Sequence, residues 1–130
     1  MESGEIKAST PSGNVTVSAG QAIFHAPGEI HHHYNDTEKN AVIIDIVFST
    51  QSQYMNNLNS ALLALTGAQI LKLGELLNIC IIPETGDYPE ESGVKRQSIK
   101  NNLELFLLEV IYTHLQGLSD DTSRKYYDII

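Results

Sequence analysis

The spacing of apolar residues changes once along the chain, just after Phe48, and that change requires strands first and helices afterwards. Before it, apolar side chains recur at every second residue: Ile6-Lys7-Ala8, Val15-Thr16-Val17, Gln21 to His25, Glu29 to Tyr34, and Ala41 to Ser49. The last run carries Val42, Ile44, Ile46 and Phe48 on one face and is expected to be the strongest strand. Ser12-Gly13-Asn14, Gly20, Pro27-Gly28 and Asn35-Asp36-Thr37-Glu38 separate the runs with residues that turn the chain cheaply. After the change the step is three or four residues. Ile70, Leu73, Leu77 and Ile81 form one predicted buried stripe, and Ile99, Leu103, Phe106, Leu107, Val110, Ile111 and His114 form a second. Two helices joined by the polar loop Glu84 to Glu91 are expected to pack antiparallel, so the class is α+β.

Boundary signals sharpen this division. Thr66-Gly67-Ala68-Gln69 has capping-box spacing and opens the first helix, and Pro83 closes it. Ser92 is the expected cap of the second helix and Gly117 its left-handed stop. Gln51 to Leu58 reads as a short helix or turn, while Ser60 to Leu65 is a short apolar run that periodicity cannot type. The expected organisation is a β segment over 1–49, a connector over 50–66, a helical hairpin over 67–117 and a linker over 118–130.

At 130 residues the chain is long enough for one core. Its net charge of -8 opposes a phosphate backbone, so this segment is not expected to bind DNA by itself. No apolar run approaches the roughly 20 residues of a membrane span, and Met1-Glu2-Ser3-Gly4 begins no signal peptide, so a cytoplasmic, membrane-free protein is expected. Cys80, the one cysteine, excludes an internal disulfide and fits a reducing compartment; its apolar helical surroundings suggest an inert thiol. No nucleophile elbow, phosphate loop or paired-cysteine motif occurs, and neither catalysis nor a cofactor is expected.

The chemistry concentrates between Gly20 and Asn35, where His25, His31, His32 and His33 lie around the Pro27-Gly28 reversal. Strand geometry puts His31 and His33 on one face, their imidazoles within about 7 Å, and His32 and Tyr34 on the other. Such a pair could share a metal ion with Glu29 or Asp45 as the carboxylate, which would suit a small metal-dependent enzyme using His31 and His33; the reading adopted is a set of pocket-lining or surface histidines with no ion. Asp45 lies among aliphatics, between Ile43 and Val47, and needs either solvent or a polar cavity.

Gly20 followed by Pro27-Gly28-Glu29-Ile30-His31-His32 resembles the second half of the cupin jelly roll, or double-stranded β-helix, in AraC-type transcription regulators, over roughly the first fifty residues. The resemblance implies a partial cupin followed by a helix pair. In that reading the family's earlier strands precede Met1 and its helix-turn-helix half follows Ile130, so the chain is an excerpt of the sensor half. It further implies that His31, His33, Ile43 and Asp45 face a pocket for a small polar effector such as a sugar. The expected partners are then that effector, a second copy of the chain, and DNA only through the other half.

The second helix also carries more apolar residues than one face can bury. Leu105, Leu108, Leu115 and Leu118 lie off the main stripe, which points either to burial on two sides or to an oligomer contact. The resemblance implies the latter, since this helix matches the family's dimerising element. Leu105, Leu108 and Leu115 are the expected contact residues.

Overall fold

The computed structural model describes the backbone of residues 1–129 and side chains through Leu118. Strands come first and helices second: β1 (Glu5–Thr10), β2 (Gly13–Ser18), β3 (Gln21–Ile23), β4 (His33–Tyr34), a 3-10 helix (Gln53–Leu58), β5 (Leu62–Ala64), α1 (Gly67–Ile81) and α2 (Glu91–Ile129). The class is therefore α+β, and the chain divides into two compact units, Met1–Leu65 and Thr66–Ile130.

In the first unit β1 lies between β2 and β4, antiparallel to both, and β3 pairs antiparallel with β5. The ambiguous run at 60–65 is thus a strand, because Gln21, Ala22 and Ile23 offer it a backbone partner at Ala64, Leu63 and Leu62. The alternation read from the sequence is what builds the core. Ile6 and Ala8 on β1 and Val17 on β2 turn inward together, with Met1, Val15, Ile23, Ala41 and Leu62 packed around them. Leu58, at the end of the 3-10 helix, is fully buried.

The run from Ala41 to Ser49 is where the expectation fails. Only Val42 pairs, in an isolated antiparallel bridge to Ser3, and residues 43–49 form no strand. A strand exists by its partner, and past Val42 no neighbouring backbone extends the ladder. Gly4 permits the approach that does occur: at φ 73° it sits where a Cβ would meet the Asn40 carbonyl oxygen at 2.7 Å. The alternation survives in weakened form, with Ile44 and Ile46 half-buried while Val42, Phe48, Ile43 and Val47 are exposed.

In the second unit the capping box is formed as the spacing predicts. Gln69 N donates to Thr66 Oγ1 at 3.1 Å and Thr66 N to Gln69 Oε1 at 2.9 Å. The glutamine has a further role: it is buried, and its Nε2 donates to Thr113 Oγ1 on α2 at 3.1 Å. Together with the Lys72–Glu109 ion pair and Lys95 Nζ donating to Ile82 O at 2.7 Å, this sets an antiparallel register for α1 and α2. Replacing Thr66 with alanine removes one half of the box, and thermal unfolding followed by helical circular dichroism should show a loss of about 1 kcal/mol.

The α1 stripe needs correction. Ile70 and Ile81 are exposed, and the helix buries Gln69 and Leu76, with Leu73 and Leu77 partly covered. Polar Gln69 is the better anchor because its amide meets both a cap and a partner helix. Cys80 likewise lies exposed and not in an apolar interior. On α2 the expected stripe holds: Phe106, Leu107, Val110 and Ile111 are buried, with Ile99, Leu103 and His114 partly so. Two boundaries differ. The helix starts at Glu91, placing Ser92 inside its first turn, where the hydroxyl donates to Glu84 Oε2 at 2.5 Å. Nor does Gly117 stop it, because its φ stays negative and the helix runs on to Ile129; a mid-helix glycine costs about 1 kcal/mol, too little to end a helix this long. Among the described residues no helix is long and apolar enough to cross a membrane.

Candidate functional site

Three histidines converge beside the Pro27-Gly28 reversal. Gly28, at φ 74°, lets the chain turn, and Glu29 N closes the turn onto Ala26 O at 3.1 Å. His25 thereby comes back over the segment from Glu29 to His33. His25 and His31 stack with ring centroids 3.9 Å apart and planes 8° from parallel, while His33 sits 5.1 Å from His25 and 5.4 Å from His31. One ligand atom from each of the three lies within 4.8 Å of the other two.

The sheet fixes the far side of this corner. His33 pairs with Ala8 and Tyr34 with Lys7 across β4 and β1. Ser9 holds the residue between: Ser9 N donates to His32 O at 2.9 Å, and His32 N donates to Ser9 Oγ at 2.6 Å. Alternation then sends His33 into the cluster, as period-two geometry predicts, and His32 takes no part in it.

Glu29 organises the near side. Its side chain is only 4 % exposed and that of His25 13 %, and the carboxylate is hydrogen-bonded to His25 Nδ1. Its other oxygen accepts from Ser60 Oγ at 2.5 Å, and its backbone carbonyl lies 3.1 Å from His31 Nδ1. Ser60 is the one non-glycine residue with positive φ (57°) among the described residues, a conformation a serine adopts only when its surroundings over-determine it. Those surroundings are Ala61 N bonded to Leu58 O at 3.0 Å and Phe24 N bonded to Ala61 O at 2.9 Å, which pin the turn between the 3-10 helix and β5.

Electrostatics follow from this layout. Glu29 is held below the usual carboxylate range, chiefly by the Ser60 hydroxyl and then, against some desolvation, by His25 and His31. His33 is pushed down by desolvation and by its two imidazole neighbours, with Asp45 partly opposing them. The neutral imidazole is therefore favoured at His33, which keeps a lone pair free for a donor or a cation.

Of the residues singled out by sequence, His31 and His33 are brought together, and Asp45 is near enough to act on His33 by its charge while remaining exposed. Ile43 is exposed. Leu105, Leu108 and Leu115 lie on the exposed side of α2. Sequence reasoning did not place His25 with His31 and His33, and it missed Ser60. His25 was visible as the last residue before a reversal, where a side chain is carried back over the returning strand; nothing local marks Ser60, since its role depends on a contact 31 residues away. No family model, no curated protein and no solved structure matches the chain.

Proposed function

We propose that this chain is the effector-sensing and dimerising segment of an AraC-type transcription regulator. Its first unit would be part of a cupin jelly roll that takes a small polar ligand on the histidine face. Its helix pair would join two copies, and DNA would be bound only through a helix-turn-helix half outside this sequence. The reading is of a binding segment working in the cytoplasm, not of an enzyme.

The observation that carries it is the convergence of His25, His31 and His33 beside one carboxylate on a sheet corner. A few polar groups fixed on a rigid scaffold orient a small hydroxylated or amine ligand, and imidazoles both donate to and accept from such groups. A net charge of -8 supports the second part of the reading, since it disfavours direct contact with DNA by this segment.

Calorimetric titration with sugars, polyols and small amines tests the assignment. His31→Ala and Asp45→Asn are each expected to weaken binding by about 1.5–3 kcal/mol, the value of one charge-assisted hydrogen bond, while leaving the circular dichroism unchanged. Binding equal to the parent in both variants would remove these two residues from the site, and no binding in the whole series would remove the sensor reading.

A further inference from the structure

We propose that His25, His31 and His33 form a binding site for one divalent transition-metal ion of the zinc, cobalt, nickel or copper class. The proposal does not rest on the regulator reading.

The argument begins with which nitrogen each ring offers. His25 Nδ1 is taken by the Glu29 carboxylate, which leaves Nε2 as its outward atom, and that atom already lies 2.9 Å from His33 Nε2. His31 Nδ1 lies against the Glu29 backbone carbonyl at 3.1 Å, which leaves its Nε2 for a ligand. One residue thus sets the tautomers of two rings, the carboxylate for one and the carbonyl for the other. This is the outer arrangement by which proteins orient imidazoles on metals: the ring's second nitrogen donates to a carboxylate or a backbone carbonyl. Ser60 in turn holds the remaining oxygen of Glu29, so the orienting group is itself fixed.

Distance and ligand type agree with a small ion. At about 2.0–2.1 Å from a zinc ion, two nitrogens in a tetrahedral set stand roughly 3.3 Å apart. The His25–His33 separation of 2.9 Å is already close to this, and all three ligand atoms fall within 4.8 Å. One adjustment is required. His25 and His31 stack nearly parallel, and an ion cannot lie in both ring planes at once, so His31 must swing out of the stack; its exposed position permits that rotation. Imidazole ligands select borderline ions over magnesium or calcium, and three protein ligands leave a fourth position open to water or a small molecule.

His32 supplies the control. It stands between His31 and His33 in sequence but outside the cluster, so a site built by geometry ignores it, whereas chance capture by a run of histidines does not. The full chain, prepared without an affinity tag and stripped with a chelator, is titrated with Zn²⁺ by equilibrium dialysis and with Co²⁺ by its visible absorption. The expected result is one ion per chain and a Co²⁺ spectrum of low-coordinate nitrogen ligation. His25→Ala, His31→Ala and His33→Ala should each abolish stoichiometric binding, Glu29→Gln should weaken it by roughly 10–100-fold, and His32→Ala should leave it unchanged. Circular dichroism identifies any variant that fails to fold, and for such a position the asparagine substitution replaces the alanine. Absence of stoichiometric binding by the parent overturns the proposal. So does a loss in His32→Ala equal to that in the other three, which would mean adventitious capture by the histidine run.

Discussion

Replacing Phe106 with alanine is expected to cost about 3–5 kcal/mol, a large share of the 5–15 kcal/mol that holds a typical small domain folded. Phe106 is 5 % exposed and lies with Leu107, Val110 and Ile111 on the buried stripe of α2. The register set by Gln69 with Thr113 and Lys72 with Glu109 brings buried Leu76 of α1 level with it. Removing the ring deletes its transfer free energy and leaves a void that two rigid helices cannot close by moving. Urea unfolding followed at the helical band measures the loss. Leu108→Ala is the comparison, because Leu108 is on the same helix two residues away and 51 % exposed. In dilute monomer it should change stability by no more than about 0.5 kcal/mol. Equal losses for the two variants would mean that the buried stripe has been assigned to the wrong face.

That stripe was legible because helical periodicity is local, and so was the capping box at Thr66, whose partners are three residues apart. Legibility failed wherever a distant partner decides the outcome. The run at 41–49 has the composition of a good strand, yet only Val42 finds a partner, at Ser3. The run at 60–65 is ambiguous by periodicity, and Leu62–Ala64 within it is a strand because Gln21–Ile23 lies beside it. On α1, hydropathy favours Ile70 and Ile81, while the structure buries Gln69, whose value comes from a hydrogen bond to a residue 44 positions away. The histidine corner divides in the same manner. His31 and His33 follow from alternation, but the third ring and the serine behind Glu29 depend on how the reversal and the 3-10 turn fold back. Period gives the face; partners across the sheet give the site.

The exposed face of α2 leads to the second large effect: the chain is expected to dimerise through it, and Leu105→Glu, Leu108→Glu and Leu115→Glu combined should leave a monomer. Leu105, Leu108, Tyr112 and Leu115 are 51, 51, 65 and 42 % exposed. They recur at steps of three, four and three residues, the spacing of a coiled-coil seam, on the side of the helix away from Phe106 and Val110. A fully buried large apolar side chain is worth about 1.5–3 kcal/mol, so burying the exposed half of three leucines and one tyrosine ring on each of two copies contributes roughly 6–12 kcal/mol gross. Lost translational and rotational freedom takes back about 4–15 kcal/mol, which puts the dimer in a weak, concentration-dependent range and not among obligate assemblies. Sedimentation velocity across a concentration series therefore reads the effect, with the parent shifting from monomer to dimer and the triple variant staying monomeric at every concentration. Three buried carboxylates on each side would face one another across the seam without counter-charge, a cost the remaining contacts cannot offset. A parent that is monomeric throughout removes the helix contact, and a dimer that survives all three charges moves it to the unpaired backbone past Val42, where a second copy could supply the strand that Ala41 to Ser49 lacks within its own chain.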